Sequence, residues 1–375
     1  MKKTLLLFIM CALLPRVAEA QTPTDDTFTV SDLTFDEEIT WNDDENEGAY
    51  YFTISLDGES IYSACNLSIT LPNGISFIYD EIEEEYLVRL NNSDKIFYSS
   101  HTLGCEKPGQ ALNVAIYSGS NKDFKKTSGK LFNVYVTVDE SVFTSSFSPK
   151  PIVRLSGMNL TTSAAVKYVP ADFACRPFTT GIPTERTLPV NVSAANKVGT
   201  LILPFDAELP SGLKAYSCNA TEGDLLTLTS AESLEACTPY IVYAENGYSD
   251  NLSGTAELPD ASNVTDVFTD GLLTGLLTSG VVNTGYILQN KGEGPVFYDA
   301  EGVNYSLPAG RCYLTFSGSS VKAFQFAFDD DATGISNVRS KMEDVREKIF
   351  DLAGRQVSSP QHGIYIQGTH KVIIK

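Results

Sequence analysis

The chain has 375 residues, which is enough for two domains and a shorter appendage. It carries 47 acidic against 27 basic side chains, a formal net charge of −20. An acidic surface of this kind repels phosphate backbones and anionic lipid headgroups, so the composition excludes nucleic acid as an expected partner. The 42% hydrophobic and 20% charged residues are ordinary proportions for a globular protein.

The N-terminus has the three-part pattern of a secretory signal peptide. Lys2 and Lys3 form a basic region, Leu5–Leu14 is an apolar run, and Ala18–Ala20 provides the small residues of a cleavage site. The apolar run is too short to cross a bilayer, which needs about 20 residues. The pattern predicts a signal peptide over 1–20 and no transmembrane segment in the mature chain.

Residues 21–173 contain a series of short strand patterns separated by turn signals. From Tyr50 to Leu56, alternate side chains are large and apolar, which is typical of a strand with one buried face. Pro72-Asn73-Gly74 supplies a turn after a second alternating run. This spacing predicts an antiparallel β-sandwich over 21–173.

The next segment, 174–187, contains Pro177, Gly181 and Pro183 and has little periodicity, so it is predicted to be a linker. Strand-like runs return from 188 to 333, with Gly and Pro between them and no helical pattern of comparable length. A second all-β domain is therefore predicted for 188–333.

The end of the chain divides into two further segments. Residues 334–348 fit either a short helix or an extended charged linker. Residues 349–375 hold three short apolar runs, which predict a three-stranded meander near the lower size limit of independent stability. The expected fold class is all-β throughout.

This final segment resembles the C-terminal sorting domain of the type IX (Por) secretion system. In that family a DLxGR turn, a GxY strand and a KxxxK ending follow one another in this order. The matching residues are Asp351, Gly354 and Arg355, then Gly363 and Tyr365, then Lys371 and Lys375. The resemblance implies that the secretion machinery is a partner. It also implies that a Gram-negative bacterium secretes the protein or displays it on its outer surface. Tail cleavage and anchoring stay open.

Residues 21–173 also resemble the cohesin-like sandwiches of secreted bacterial proteins. The resemblance rests on short motifs, which are Leu-Pro-Asn-Gly-Ile at 71–75, Tyr-Ser at 117–118 and Ser-Gly-Lys-Leu at 128–131. That fold hosts protein docking and is close in shape to carbohydrate-binding sandwiches, so the resemblance implies binding without choosing the ligand. The second domain resembles a β-module often found between such a sandwich and such a tail, which implies no activity.

Six cysteines follow the predicted signal peptide, an even number that permits disulfides in an exported protein. Cys218 and Cys237 border strands in one small region, so they are the pair predicted here. The alternative is that the cysteines are small, buried apolar residues, and the sequence leaves both possibilities open.

The residues that usually perform catalysis are scarce. The chain has 3 histidines, His101, His362 and His370, and none belongs to a recognisable nucleophile or metal motif. Asp329–Gly334 imitates the start of a calcium loop, but Ser340 stands where a bidentate Glu is needed. We therefore expect no enzyme activity, no cofactor and no metal.

Glycan binding requires flat aromatic side chains that are open to solvent. Trp41 and Tyr51 are the predicted stacking residues, because Tyr51 points away from Phe52 and Ile54 in an alternating strand. Four other tyrosines also lie within reach of loops or outward strand faces, namely Tyr62, Tyr79, Tyr86 and Tyr98. Cross-strand pairing is the alternative reason for an outward tyrosine.

These observations favour a non-catalytic binding protein whose ligand is a glycan or a surface or secreted protein. The alternative is a structural or assembly spacer of the cell surface. A glycoside hydrolase, or an accessory to one, ranks third, because acidic runs of this kind are usually solvated loops.

Overall fold

The computed structural model describes residues 22–258, 262–292, 294–316, 321–328, 349–350, 363–367 and 370–374. It divides into two compact units, one of Met1–Arg186 with Asp260–Thr265 and the other of Thr187–Pro259 with Asp266–Lys375. Both units are built from β-strands, which confirms the predicted fold class. The predicted signal peptide, 1–20, and the segment 334–348 lie outside the described residues.

The first unit contains fifteen strands and a short helix among its described residues. They are β1 (Thr22–Pro23), β2 (Thr27–Val30), β3 (Thr34–Trp41), β4 (Asn46–Asp57), β5 (Ala64–Thr70), β6 (Ile75–Phe77), β7 (Tyr79–Asp80), β8 (Glu85–Tyr86), β9 (Val88–Leu90), β10 (His101–Glu106), β11 (Leu112–Ser118), β12 (Gly129–Val138), α1 (Glu140–Thr144), β13 (Val153–Thr161), β14 (Lys167–Val169) and β15 (Phe173–Cys175).

Two large sheets and the β7–β8 hairpin form the first unit. One has the order β1-β14-β13-β5-β11-β10 with β15 also paired to β13, and the other has the order β2-β4-β12-β6 with β3 on β4 and β9 on β12. Their apolar faces share one core, to which Phe52 and Ile54 contribute from β4, Leu67 and Ile69 from β5, and Val114 from β11. The two sheets therefore make the antiparallel sandwich that the alternating pattern predicts.

Part of the stretch predicted to be a linker, 174–187, packs against the core of this sandwich. Cys175 pairs with Val153 across β15 and β13. Phe178 is 1% exposed and Ile182 is 7% exposed, and both belong to the core. Proline and glycine interrupt the periodicity of this stretch, but its apolar side chains still find partners.

Arg186 ends the first unit as a buried cation whose partners are backbone carbonyls. It is 1% exposed, and its guanidinium donates to the carbonyl oxygens of Pro183, Glu185 and Pro149. Burial lowers the pKa of Arg186 to about 10. Such a side chain fixes the neighbouring chain segments, because three polar carbonyls depend on it.

The second unit begins within β16 (Glu185–Val192). The following strands are β17 (Val198–Leu201), β18 (Ala207–Glu208), β19 (Lys214–Glu222), β20 (Leu225–Ala231), β21 (Ser233–Leu234), β22 (Tyr240–Tyr243), β23 (Tyr248–Thr255), β24 (Val267–Asp270), β25 (Leu273–Leu276), β26 (Gly280–Val282), β27 (Tyr286–Asn290), β28 (Pro295–Asp299), β29 (Tyr305–Leu307), β30 (Arg311–Leu314) and β31 (Ala323–Phe328).

The largest sheet of the second unit has ten strands in the order β17-β22-β19-β20-β31-β28-β27-β30-β25-β24. β20 and β31 pair in parallel, whereas β19–β20 and β27–β28 are antiparallel hairpins. The buried aromatic residues of this unit include Phe205, Tyr216, Phe297 and Phe324, each at most 1% exposed. This unit is the second all-β domain that the sequence predicts.

The tail forms a three-stranded antiparallel sheet of β32 (Ile349–Phe350), β33 (Gly363–Gln367) and β34 (His370–Ile374), in the predicted meander order. Gly363 and Tyr365 of the sorting-type motif lie on β33 and Lys371 lies on β34. The other predicted sorting residues, Asp351, Gly354, Arg355 and Lys375, lie outside the described residues.

The two cysteines predicted to form a disulfide are thiols in this structure. Cys218 is fully buried on β19, and burial raises its pKa to about 12. Cys237 is 5% exposed, and its Sγ donates to the Glu257 carbonyl oxygen at 3.4 Å. Both therefore fill the role of small buried residues, the alternative that the sequence leaves open.

Candidate functional site

A groove of about 350 Å³ lies where the two sheets of the first unit are joined between β5 and β6. It is lined by the turn 71–77, by Tyr79 and Tyr86 of the β7–β8 hairpin, and by Lys107 and Gln110 of the β10–β11 connection. Its walls thus combine aromatic rings with amide and ammonium groups. We call it the Tyr79 groove.

The turn on one side of the Tyr79 groove is fixed by local hydrogen bonds and by a glycine. The Ile75 amide donates to the Pro72 carbonyl at 3.3 Å, and the Asp139 amide donates to the Gly74 carbonyl at 2.8 Å. Gly74 has φ +86°, and a Cβ there would lie 2.9 Å from the ring of Phe143. The predicted Pro-Asn-Gly turn therefore needs its glycine both for the backbone angle and for space.

The hairpin on the other side is fixed by a buried carboxylate. Asp80 is 6% exposed and accepts hydrogen bonds from the amides of Glu83 and Ile82 at 3.0 Å and of Asn42 at 3.1 Å. These backbone donors, Glu83 first, hold the pKa of Asp80 below its usual range. Because the carboxylate ties the hairpin turn to the β3–β4 loop, the position of Tyr79 is set by the fold.

Three aromatic rings meet at the Tyr79 groove. The Tyr86 ring centroid lies 4.9 Å from that of Tyr79 and 6.5 Å from that of Phe77, and both contacts are edge-on. Tyr79 is 42% exposed, whereas Phe77 and Tyr86 pack partly against the main core. The Cys105 thiol donates to the Tyr86 carbonyl at 3.8 Å, which joins the hairpin to β10. The lining of the groove therefore includes one exposed tyrosine, packed edge-on against a second tyrosine that is partly buried.

The predicted stacking residues, Trp41 and Tyr51, lie together but not in the Tyr79 groove. Both pack, half-buried, against a small apolar cluster on the outer face of the second sheet, formed by Ala49, Ile78, Leu87 and Tyr135. The ring centroids of Tyr51 and Tyr135 are 5.4 Å apart. Tyr51 does point away from the main core, as alternation predicts, but Ile78 and Leu87 pack over this face.

The sequence did not reveal that the β7–β8 hairpin separates two apolar clusters of the first unit. At both ends of the hairpin, successive side chains face different clusters. Ile78 and Leu87 belong to the outer cluster, whereas their neighbours Phe77 and Tyr86 pack against the main core. The sequence signal for this arrangement was the alternation of apolar side chains on both sides of the acidic turn Glu81–Glu84. Pairing of the two short strands could not be deduced from that alternation alone.

The described residues show no arrangement typical of a metal centre. Among them, no group of three or more His, Cys, Asp or Glu side chains is placed to hold a metal ion. The same described residues contain no helix with the length and apolar character needed to cross a bilayer.

Two buried tyrosines of the first unit make its stability sensitive to alkaline pH. Burial, with a hydrogen bond to a carboxylate, raises the pKa of Tyr62 beside Asp26 and of Tyr135 beside Asp36 to about 12 each. The folded state therefore retains protons that an unfolded tyrosine releases near pH ~10. The stability they contribute is complete below pH ~10 and is lost as the pH rises towards ~12.

We expect the urea midpoint of the first unit to fall over this alkaline range, and to fall less steeply in Tyr135→Phe. Trp41 is the single tryptophan of the chain and belongs to the first unit, so its fluorescence reports that transition selectively. An equal slope in wild type and Tyr135→Phe would show that the Tyr135 phenol does not carry the effect.

Fold and site together define a two-unit all-β protein with an aromatic groove on its first unit. The chain is similar to the non-cellulosomal cohesin of the archaeon Archaeoglobus fulgidus, at 13% identity over 40% of this chain and 89% of that chain, with a TM-score of 0.26. It is also similar to a type I cohesin in the Coh-OlpC-Doc435 cohesin–dockerin complex of Clostridium thermocellum, at 13% identity over 42% and 96% of the chains, with a TM-score of 0.29.

A third similar structure is the sixth cohesin of scaffoldin B from Acetivibrio cellulolyticus, solved with a Cel5 dockerin. It shares 14% identity over 40% of this chain and 97% of that chain, with a TM-score of 0.28. Likeness at this level establishes neither a shared family nor a shared ligand. No family model matches the chain. No curated protein matches it either.

Proposed function

We propose that this protein is a secreted, non-catalytic carbohydrate-binding protein, and that its first unit holds a saccharide in the Tyr79 groove. The observation that carries the proposal is the exposed ring of Tyr79, 42% accessible and braced edge-on by Tyr86 at 4.9 Å. A sugar ring has apolar C–H faces and polar edges. It therefore fits a site with a flat aromatic platform and a few polar groups around it.

The polar groups of the Tyr79 groove have the chemistry that sugar hydroxyls require. Asn73 and Gln110 offer amide donors and acceptors, Ser76 offers a hydroxyl, and Lys107 offers an ammonium donor. The groove of about 350 Å³ is within the range of small-molecule sites. The turn at 72–75 and the hairpin turn are fixed by hydrogen bonds, so these two walls of the groove require little ordering when a ligand binds.

The proposal includes a location outside the cell. The signal-peptide pattern over 1–20 and the sorting-type motifs of the tail support export through the type IX route to the outer surface or the medium. A carbohydrate-binding unit at that location meets extracellular polysaccharides as its natural ligands.

A glycan array with matched variants tests the proposal. We expect wild-type protein to give a reproducible signal on one class of glycan and Tyr79→Ala to lose most of that signal. Trp41→Ala should keep it, because Trp41 packs against the outer cluster instead of lining the Tyr79 groove. Equal signals from wild type and Tyr79→Ala would contradict the proposed site. Absence of any glycan signal would favour a protein partner or a spacer role instead.

A further inference from the structure

Two lysines of the first unit are held over one exposed tyrosine ring. The Nζ atom of Lys125 is 4.5 Å and that of Lys122 is 5.1 Å from the ring centroid of Tyr98. Tyr98 itself is 43% exposed. The negative face of an aromatic ring attracts an ammonium group at these distances. The ring thereby brings two like charges close together at the surface.

The base of this arrangement is rigid. The Tyr98 ring stacks on His101 with centroids 6.3 Å apart. The ring of Phe97 lies 5.1 Å from Phe124 and 5.5 Å from His101, centroid to centroid. His101 is 5% exposed, its Nδ1 lies 3.2 Å from the Tyr98 amide nitrogen, and its Nε2 lies 3.1 Å from the Lys122 carbonyl oxygen. Histidine thus joins the two segments that carry the ring and the amines. Two ammonium groups on such a base are preorganised for a ligand.

The two ammonium groups have no carboxylate within 4.0 Å among the described residues, in a chain with 47 acidic side chains. Two carboxylates of the adjoining segments make other contacts. Asp94 accepts from the Lys130 amide at 2.8 Å, and one oxygen of Asp123 accepts from the Ser163 hydroxyl at 3.1 Å. The other oxygen of Asp123 is buried, without a hydrogen-bond partner among the described residues, and does not form an ion pair with either lysine. Because close like charges repel, an anion between them would be stabilised by both.

We propose that Lys122 and Lys125 form a binding site for the carboxylate or sulfate groups of an acidic polysaccharide. Both amines lie within 5.1 Å of one ring centroid, while the chain as a whole has a net charge of −20. A fitting polymer therefore carries its charges singly, with neutral groups between them, as mixed acidic polysaccharides do. Nucleic acids and anionic bilayers present contiguous charge, which this acidic protein repels.

This site is separate from the Tyr79 groove. Tyr98 precedes β10 and Lys107 follows it, and a six-residue strand spans roughly 20 Å. The two sites share no side chain and differ in chemistry, because one offers an exposed ring and the other a pair of charges. Variants can therefore separate them.

The test measures binding of hyaluronan, κ-carrageenan and neutral dextran by affinity electrophoresis at low and high salt, because the two acidic polymers carry one carboxylate or one sulfate on alternate sugars. We expect the wild type to bind at least one of the two acidic polymers at low salt, more weakly at high salt, and in preference to dextran. The double variant Lys122→Ala/Lys125→Ala should lose about tenfold or more in affinity for that polymer. Lys122→Arg/Lys125→Arg should retain it.

The matched control is Lys126→Ala/Lys130→Ala, which removes the same charge from the same segment. It should stay within about threefold of wild type, since neither amine is held over the ring. Tyr79→Ala should also bind the acidic polymer normally, so failure here is distinguishable from failure of the groove proposal. Equal losses in both lysine pairs, or no binding of either acidic polymer at low salt, would overturn the inference.

Discussion

Replacing Phe178 with alanine is expected to lower the free energy of unfolding of the first unit by about 3–5 kcal/mol, the range for a buried phenylalanine. Phe178 is 1% exposed, and its ring centroid lies 5.5 Å from that of Phe52 in the sandwich core. The variant loses the burial of the ring and leaves a cavity that close-packed neighbours fill only partly. Urea titrations followed by Trp41 fluorescence measure the change.

Thr180→Ala is the control, because Thr180 is exposed and lies in the same stretch. Its expected effect is within about 0.5 kcal/mol. If Phe178→Ala were no more destabilising than Thr180→Ala, the stretch 174–187 would behave as the linker that its Pro and Gly content predicts. A large difference would show that Phe178 belongs to the cooperative core of the first unit.

The second large effect concerns the Tyr79 groove. Tyr79→Ala is expected to weaken binding of the glycan found on the array about thirty-fold, or about 2 kcal/mol, as for a central aromatic anchor. Tyr79→Phe should stay within about threefold, because the ring that stacks on the sugar is retained. Isothermal titration calorimetry measures both affinities.

Tyr117→Ala is the matched control for this effect. Tyr117 is 37% exposed on β11 and does not line the Tyr79 groove, so its loss should leave the affinity unchanged. Parallel losses in Tyr79→Ala and Tyr117→Ala would point to a general effect of exposed tyrosines. A loss confined to Tyr79→Ala would identify the groove.

Much of the fold follows from local sequence patterns. The alternation in β4 places Phe52, Ile54 and Leu56 in the core, each at most 2% exposed. The turn at 72–74 is also where Pro-Asn-Gly predicts it. Both features depend on backbone geometry within a few residues, which sequence specifies directly.

The rest depends on contacts between distant segments. Proline and glycine in 174–187 disrupt periodicity, but periodicity does not reveal that Phe178 meets Phe52. Alternation turns Tyr51 away from the core, yet it does not show that Ile78 and Leu87 pack over the face where it lies. Whether an outward strand face is covered by other residues depends on tertiary packing, which overrides the local pattern.

The most direct test of the central claim is to map amide chemical shifts while the array-selected glycan is added to the full chain. Binding in the Tyr79 groove should shift the amides of 73–77, Tyr79, Tyr86 and Gln110, and leave those around Trp41 unchanged. Shifts concentrated on Trp41 and its outer cluster, with none at 73–77, would contradict the proposed site.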